Sequence, residues 1–576
     1  MDPRFLHLLE SNIAPTPLEV VAIQAEVERL SSKTHPTQHD PVLEAPLGQY
    51  RGILSPIRHI PSEIWGEIFY FATPAAVNEE DKGDLIDICC VRSTWYEAAL
   101  HAHGLWANIK LAPLPEGKQY IYNNLISWLT RSGDLKRGLE YRSNVWEDCD
   151  VDDDDDYPTQ EGFCPCRSGG NCMWMEDTVV ARLMTEGPLL LHRVSFRNMY
   201  PRCIGNAMRS FQVAESGSSS TRPWSQIQEL KLGMHTECWQ GSWDSSSELP
   251  FRLIPPSVTS LLICLPQYGT AFNSKMECPR AKIDIAPAVL GQLTSLVLVC
   301  NWGFLHIATM LHHCRNLETL RLEFGFGFSK QALLHELDDS HPFIRRVQVE
   351  GGIQLPKLHT LQIYDGCETP ILFLQWIKTP ALRYLDLETT GSSGSICPNW
   401  TEALDDFVTR SGCARSIQYL RLASDCRSSS EESEYQRYFN GKTGLFLSSL
   451  SSLKYLTFTN LPIVAVLRTD FQNIEDPWNH GWLPRLQSLQ LLHCWRHPHL
   501  NFDQLLIWLR KRGRQAPCWI HIEECVHDET LKGVEHHLRT ISELLRVELG
   551  ISFCVSAGIE VQFAQSLRRS SFFWKY

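Results

Sequence analysis

No window of this 576-residue chain approaches the roughly eighteen uncharged apolar residues that a membrane-spanning helix requires, so a helical membrane protein is not expected. The opening residues, MDPRFLHLLESN, lack a basic stretch followed by an apolar one; no secretory leader is expected, and the protein is placed in the cytoplasm, the nucleus or both. Positive charge is scarce: 53 Lys and Arg against 66 Asp and Glu leave a net charge of -13. A nucleic-acid partner needs a basic surface that releases counterions, so none is expected. Much of the acidic excess is local, in Glu147, Asp148, Asp150 and Asp152 through Asp156. That run reads as a solvated loop, with a docking surface for basic partners as the sharper alternative.

Catalytic and cofactor signatures are missing too. There is no glycine-rich dinucleotide turn and no G-x-S-x-G elbow. NGKTG at 440–444 ends like a phosphate-binding loop, but Gln436 stands where the cradle needs a glycine. The 20 cysteines form no regular framework, so buried free thiols are expected rather than disulfides. Cys164, Cys166 and Cys172, with Cys149 upstream, could ring a zinc ion, yet C-x-C-x5-C lacks paired C-x2-C knuckles and a loop beside the aspartates is favoured. His312 and His313, or His493, His497 and His499, are read as decoration of helices and turns. Neither catalysis nor a cofactor or metal is expected.

What is present is core material. With 43% hydrophobic and 21% charged residues, the composition is that of a globular protein. Residues 5–30 read as a helix with Pro17 in its first turn, and Pro36, Pro41 and Pro46 then turn 31–52 into a linker, which closes a first segment, 1–52. A second segment, 53–111, holds short helical patterns: one starts at Pro61, and another covers Asp84 to Ala102. Residues 112–188 join a helix over 123–131 to the acidic, cysteine-bearing insertion.

From 189 to 576 the rhythm changes. An aliphatic residue is followed three and five positions later by others in LHRVSF (191), IQELKL (227), VTSLLI (258), LTSLVL (293), LETLRL (317), LHTLQI (358), LRYLDL (382), IQYLRL (417), LKYLTF (453) and LQSLQL (486). Loose matches arise by chance in so aliphatic a chain, so the fuller unit carries the signal: Leu290, Leu355, Leu450 and Leu483 each open L-x-x-L-x-x-L-x-[LIF]. The strings advance by 24 to 41 residues. Helical patterns lie between them at Phe304, Ile307, Ala308 and Leu311; at Leu372, Leu374, Trp376 and Ile377; at Leu404, Phe407 and Val408; and at Phe502, Leu505, Leu506 and Leu509.

Such a unit is too small to hide its own apolar face, so neighbours must stack. The expected fold class is α/β: a small helical domain followed by an irregular leucine-rich-repeat solenoid, with parallel strands on the concave face and helices outside. The competing all-helical solenoid of HEAT type is disfavoured by the terminal L-x-L alternation, whose period of two belongs to a strand. If each string is a strand, its third and fifth residues face the concavity. Tyr384, Tyr419 and Tyr455 then fall in register beside Arg321, Asp386 and Arg421, a candidate surface for binding a protein.

The second segment supports a family resemblance. SPIRHIPSEIWGEIF at 55–69, VRSTWYEAAL at 91–100 and GLWANI at 104–109 resemble the F-box, whose pattern runs from L-P-x-E-I-L-x-x-I-F through V-C-x-x-W to L-W. The likeness is to the F-box proteins abundant in mushroom-forming fungi. LLESNIAPTPLE at 8–19 resembles the leader before those domains, and WLTRSGDLKRGLEY (128–141) and FVTRSGCARSIQYLRL (407–422) resemble segments that introduce their repeats. The chain departs from the pattern at Ile60 and Trp65, each in place of Leu, at Arg92 in place of Cys, and in Ala75 to Gly83, which lengthen a connection.

The resemblance implies a non-catalytic adaptor: the F-box docks on the Skp-type subunit of a cullin-RING ubiquitin ligase, and the repeats capture a protein to be ubiquitinated. By position in the family pattern, Ile60, Pro61, Ile64, Ile68, Phe69, Val91, Trp95, Leu105 and Trp106 are the adaptor-contact or packing residues. The alternative is a leucine-rich-repeat scaffold that binds a protein without any coupling to ubiquitination.

Overall fold

A computed structural model describes residues 2–11, 13–33, 41–74, 76–112, 120–142, 178–186, 189–199, 201–215, 223–234, 250–265, 284–300, 304–324, 342–365, 373–389, 400–424, 446–447, 449–459, 483–492, 519–524 and 553–557. The chain divides into two compact units, one comprising Met1–Ala112 and Tyr120–Glu140, the other Pro113–Gln119 and Tyr141–Tyr576.

The first unit opens with α1 (Leu6–Ser11), α2 (Pro17–Ser31) and α3 (Pro41–Ile53). The single helix expected over 5–30 is therefore broken. Thr16 is extended and caps α2: its hydroxyl accepts from the Glu19 amide, and the Glu19 carboxylate accepts in return from the Thr16 amide at 2.7 Å. Pro17 takes the first helical position, where a missing N–H costs nothing.

The proline-rich stretch expected to be a linker is helical from Pro41 onward. Pro41 opens α3, and Pro46 sits inside it at the loss of one backbone donor. Burial outweighs that loss. Leu47, Tyr50 and Ile53 join Phe5, Leu8, Ile23 and Leu30 in a small core, and the Tyr50 hydroxyl accepts from the Asp2 amide at 2.8 Å. Proline counting saw the breakers but not the apolar stripe between them.

Next come α4 (Ser62–Ala72), α5 (Glu79–Val91) and α6 (Ser93–His101). Pro61 is the cap of α4 rather than its first helical residue, and its carbonyl receives the Trp65 amide at 3.1 Å. Asn78 and Asp81 form a reciprocal capping box that starts α5. The chain is extended at Arg92, so the pattern read as one helix over 84–102 is two helices, α5 and α6. A 3-10 turn (His103–Trp106), β1 (Asn108–Leu111), α7 (Tyr122–Thr130) and β2 (Arg137–Arg142) follow, with β1 beside β2.

The second unit contains α8 (Thr178–Thr185), β3 (Leu191–Met199), α9 (Pro201–Glu215), β4 (Glu229–Met234), β5 (Ser260–Cys264), α10 (Pro287–Leu290), β6 (Ser295–Val299), α11 (Phe304–Leu311), β7 (Thr319–Phe324) and α12 (Pro342–Val349). It continues through β8 (Ile353–Gln354), β9 (Thr360–Asp365), β10 (Ile377–Lys378), β11 (Tyr384–Thr389), α13 (Trp400–Ser411), β12 (Tyr419–Ser424), β13 (Tyr455–Thr459), β14 (Ser488–Leu492), β15 (Trp519–Glu524) and β16 (Phe553–Ala557).

Within this unit one sheet runs in the order β3-β4-β5-β6-β7-β9-β11-β12-β13-β14-β15-β16, and neighbouring strands pair in parallel. Each of the ten strings contributes one of these strands, which excludes an all-helical array. The protein is thus a mixed α/β chain with a large parallel sheet.

The leucines of the strings build the core beneath the sheet. Leu261, Leu296, Leu320, Leu361, Leu385, Leu420, Leu456 and Leu489 stand in register on successive strands, all of them buried. At roughly 25 cal/mol per Å² of apolar surface, each contributes about 2 kcal/mol. The earlier leucines of the longer strings, such as Leu290 and Leu293 or Leu450 and Leu453, are buried as well.

Two inter-strand helices follow their predicted faces: Ile307, Ala308 and Leu311 on α11, and Leu404, Phe407 and Val408 on α13. Gly412, at φ +68°, ends α13, with the Cys413 amide donating to Val408 at 3.2 Å. Of the segment expected to be helical through Leu374, Trp376 and Ile377, Leu374 is helical, but Trp376 lies in a turn and Ile377 in β10, where it pairs with Ile353 of β8. Pro380 follows too closely for a helix to continue. Leu372 and the pattern at Phe502, Leu505, Leu506 and Leu509 lie outside the described residues, as does NGKTG. Among the described residues no helix is long and apolar enough to cross a membrane.

Candidate functional site

The segment that resembles an F-box places apolar side chains on two faces of α4. The inner face is closed. Trp65 and Phe69 are buried, with ring centroids 4.4 and 5.3 Å from that of Trp95 on α6. Gly66 lets the helices approach, since a Cβ there would lie 3.2 Å from the Ala102 Cβ. The outer face is open: Ile64 is 50% exposed, Ile68 41% and Phe71 80%. These residues sit at i, i+4 and i+7, one stripe along a single helix.

The residues assigned to adaptor contact therefore separate. Pro61, Ile64, Ile68 and Val91 are exposed, and Ile60 and Trp95 are half-buried. Phe69, Leu105 and Trp106 are buried and serve packing. The Trp106 indole N–H donates to the Ala99 carbonyl at 2.7 Å, its ring meets Trp128 edge to face, and the Arg131 guanidinium lies 4.7 Å above it. Trp65, which stands in place of a Leu of the resembled pattern, turns inward. Phe71 was missed, although its spacing from Ile64 and Ile68 was legible.

In the second unit the tyrosine row stands as its spacing requires. Tyr384 pairs in register with Tyr419, and Tyr419 with Tyr455. The first two rings stack at 4.0 Å with an interplanar angle of 6°. Tyr455 is 6.5 Å further along, tilted and 44% exposed. The row continues on both sides as hydroxyls, through Thr360, Thr319, Ser295 and Ser260 in one direction and Ser488 in the other.

Two residues further along each strand, the same face carries charge. Here the expectation of open handles fails, because Asp386 is only 3% exposed and Arg321 only 9%. They are occupied with one another's neighbours. Asp386 accepts from Arg421 Nη1 at 2.9 Å, from the Tyr364 hydroxyl at 2.8 Å and, at 3.5 Å, from the Gln362 amide. Arg421 Nη2 donates to Glu388 at 2.8 Å. Arg321 donates to Glu323 at 3.3 Å and lies 4.8 Å above the Tyr364 ring. The sequence named Arg321, Asp386 and Arg421 but gave no sign of Glu323, Tyr364 and Glu388, which join them from the next alternate positions.

Burial sets the ionisation of this cluster. It pulls the Arg421 guanidinium down, but Asp386 and Glu388 together outweigh it and hold the group above its ordinary value. Burial pushes the Glu323 carboxyl up; Arg321 opposes this and Glu388 adds to it. Burial, then Asp386, raises the phenols of Tyr364 and Tyr384. The Cys264 thiol is pushed up to about 12, mainly by burial and further by Glu323 and Cys300. The network is a set of charges paired across neighbouring strands.

Among the described residues no group of three His, Cys, Asp or Glu side chains is arranged to hold a metal ion. His312 meets His313 and Phe343 edge to face, with its Nδ1 4.0 Å from Glu350. Cys149, Cys164, Cys166 and Cys172, the acidic run, and His493, His497 and His499 lie outside the described residues. No protein-family model and no curated protein matches the chain.

Proposed function

We propose that this chain is the substrate-recognition subunit of an SCF-type cullin-RING ubiquitin ligase. In this reading residues 53–111 are an F-box, the outer face of α4 docks on a Skp-type adaptor, and the second unit is a leucine-rich-repeat solenoid whose polar sheet face takes the protein substrate. The chain itself is not catalytic and needs no cofactor, since ubiquitin transfer belongs to other subunits.

The observation that carries the proposal is the stripe of Ile64, Ile68 and Phe71, open on a helix whose other face is already filled by Trp65 and Phe69. Fully burying such a side chain is worth about 1.5–3 kcal/mol, so leaving three of them in water is costly unless another chain covers them. Apolar anchors of this kind centre protein interfaces that bury about 1,600 Å².

The test is co-purification of the full chain with a Skp-type adaptor and cullin, against an Ile64→Asp, Ile68→Asp variant. Both side chains are exposed, so the variant is expected to keep its helical circular dichroism and melting transition while losing the adaptor. Burying two unpaired carboxylates costs at least several kcal/mol, enough to abolish the complex. Failure of the wild type to retain the adaptor, with protein partners still captured, would leave the uncoupled scaffold as the function.

A further inference from the structure

We propose that the substrate segment recognised by the sheet face of the second unit crosses the Tyr384, Tyr419 and Tyr455 row and presents a cationic side chain, Lys or Arg, to Glu388, which lies further along β11 on the same face. This rests on reading that face as the substrate surface and is independent of whether α4 binds an adaptor.

The charge inventory points one way. Across four neighbouring strands the cluster holds two cations, Arg321 and Arg421, and three carboxylates, Glu323, Asp386 and Glu388. Both guanidiniums are engaged, Arg421 by Asp386 and Glu388, Arg321 by Glu323 and the Tyr364 ring. Among the described residues of this cluster, a carboxylate or phosphate on a ligand would meet guanidiniums already paired with acid, and the surplus acid itself. A Lys or Arg meets the opposite situation. Asp386 is saturated by three donors, but Glu388 has 30% of its side chain exposed and accepts from Arg421 through a single oxygen.

The aromatic row agrees with the charge. Tyrosine faces attract cations, and the exposed Tyr455 ring, with the Tyr384 and Tyr419 pair beside it, gives a basic segment an aromatic surface to cross on its way to Glu388. A separate feature also asks for a ligand. Thr459 is 5% exposed, and its hydroxyl has no hydrogen-bond partner among the described residues. It lies in the row of Glu388, reached through Ala423, on the tyrosine-bearing face of β13. A peptide that brought a cation to Glu388 would run within reach of this unused hydroxyl, whereas a covering by apolar side chains would leave it stranded.

The experiment is selection from a library of nine-residue peptides, neutral except at a central position carrying Arg, Lys, citrulline, Gln or Glu, by the immobilised full-length protein. Arg and Lys are expected to be enriched at least tenfold over Glu and clearly over citrulline, with enrichment falling as salt rises. Glu388→Gln should remove most of that enrichment, whereas Tyr455→Ala should lower the recovery of Arg and Lys peptides while leaving their preference over Glu; both positions are accessible and preserve the core. Equal recovery of Glu peptides, the absence of any selected peptide, or a cation preference unchanged in Glu388→Gln overturns the proposal. Running the Ile64→Asp, Ile68→Asp variant in parallel separates the two readings, because loss of the adaptor should leave the selection intact.

Discussion

The outer face of α4 and the polar face of the parallel sheet both present large side chains to solvent, and they are built in opposite ways. On α4, Ile64, Ile68 and Phe71 form a purely apolar stripe. On the sheet, a row of tyrosines shares its face with charges that already answer one another across strands, Asp386 to Arg421 and Arg421 to Glu388. An apolar stripe gains free energy from any surface that excludes water and matches its shape. A self-paired charged face gains little from mere contact, because its central charges, Asp386 and Arg421, already answer one another, and it rejects partners of the wrong sign. The same chain thus holds one surface suited to constant attachment and another suited to choosing.

The comparison breaks most easily on α4 itself, where adjacent positions face opposite ways. Trp65→Ala removes a buried ring from the Trp95 and Phe69 cluster and should destabilise the helical unit by about 3–5 kcal/mol. Phe71→Ala should change stability by no more than about 0.5 kcal/mol, because its ring is 80% exposed, while still weakening adaptor capture. Denaturant titration of the two variants measures the contrast. A large cost for Phe71→Ala would mean that the outer face is not free.

On the sheet the corresponding cut is Asp386→Ala. It leaves the Arg421 guanidinium and the Tyr364 hydroxyl without their shared acceptor, which should cost about 3 kcal/mol, toward the lower end for a broken buried pair. Combining it with Arg421→Leu should recover part of the loss, since the pair then vanishes together. Tyr419→Ala should cost less, about 1 kcal/mol, from the lost stack with Tyr384. If Asp386→Ala proved neutral, the cluster would be surface decoration and the contrast with α4 would collapse.

Much of this architecture was legible before the structure. The L-x-x-L-x-L strings fixed the strands, and a period of two put Tyr384, Tyr419 and Tyr455 on one face and in one register. What escaped were properties of depth. Asp386 and Arg321 were read as handles because strand alternation gives direction but not burial, and burial here depends on Glu323, Tyr364 and Glu388, supplied by three strands. Likewise Phe69, Leu105 and Trp106 belonged to the family pattern, which does not separate residues that build a domain from residues that touch a partner. The helix at Pro41–Ile53 was hidden by its prolines, each locally unfavourable, whereas the stripe of Leu47, Tyr50 and Ile53 gains only once Phe5, Leu8 and Ile23 are beside it.

The finest test of the contrast is titration. Glu323 is the carboxyl that burial lifts, facing Arg321 and Glu388, with the nearby Cys264 thiol kept neutral by a pKa of about 12. Because its folded pKa lies above its unfolded one, Glu323 contributes stability below the unfolded pKa, and that contribution is lost as pH rises through the folded pKa. Above the folded pKa the ionised group is then a net penalty. Glu323→Gln keeps an acceptor for Arg321 without the charge, so the variant should melt higher than the wild type at pH 7, and the gap should shrink or reverse toward pH 4. Ile68→Ala, on the apolar stripe, should shift the melting point equally at both values. A flat difference for Glu323→Gln would mean that burial does not govern its charge, and the sheet face would then differ from α4 in shape alone rather than in how it selects by sign.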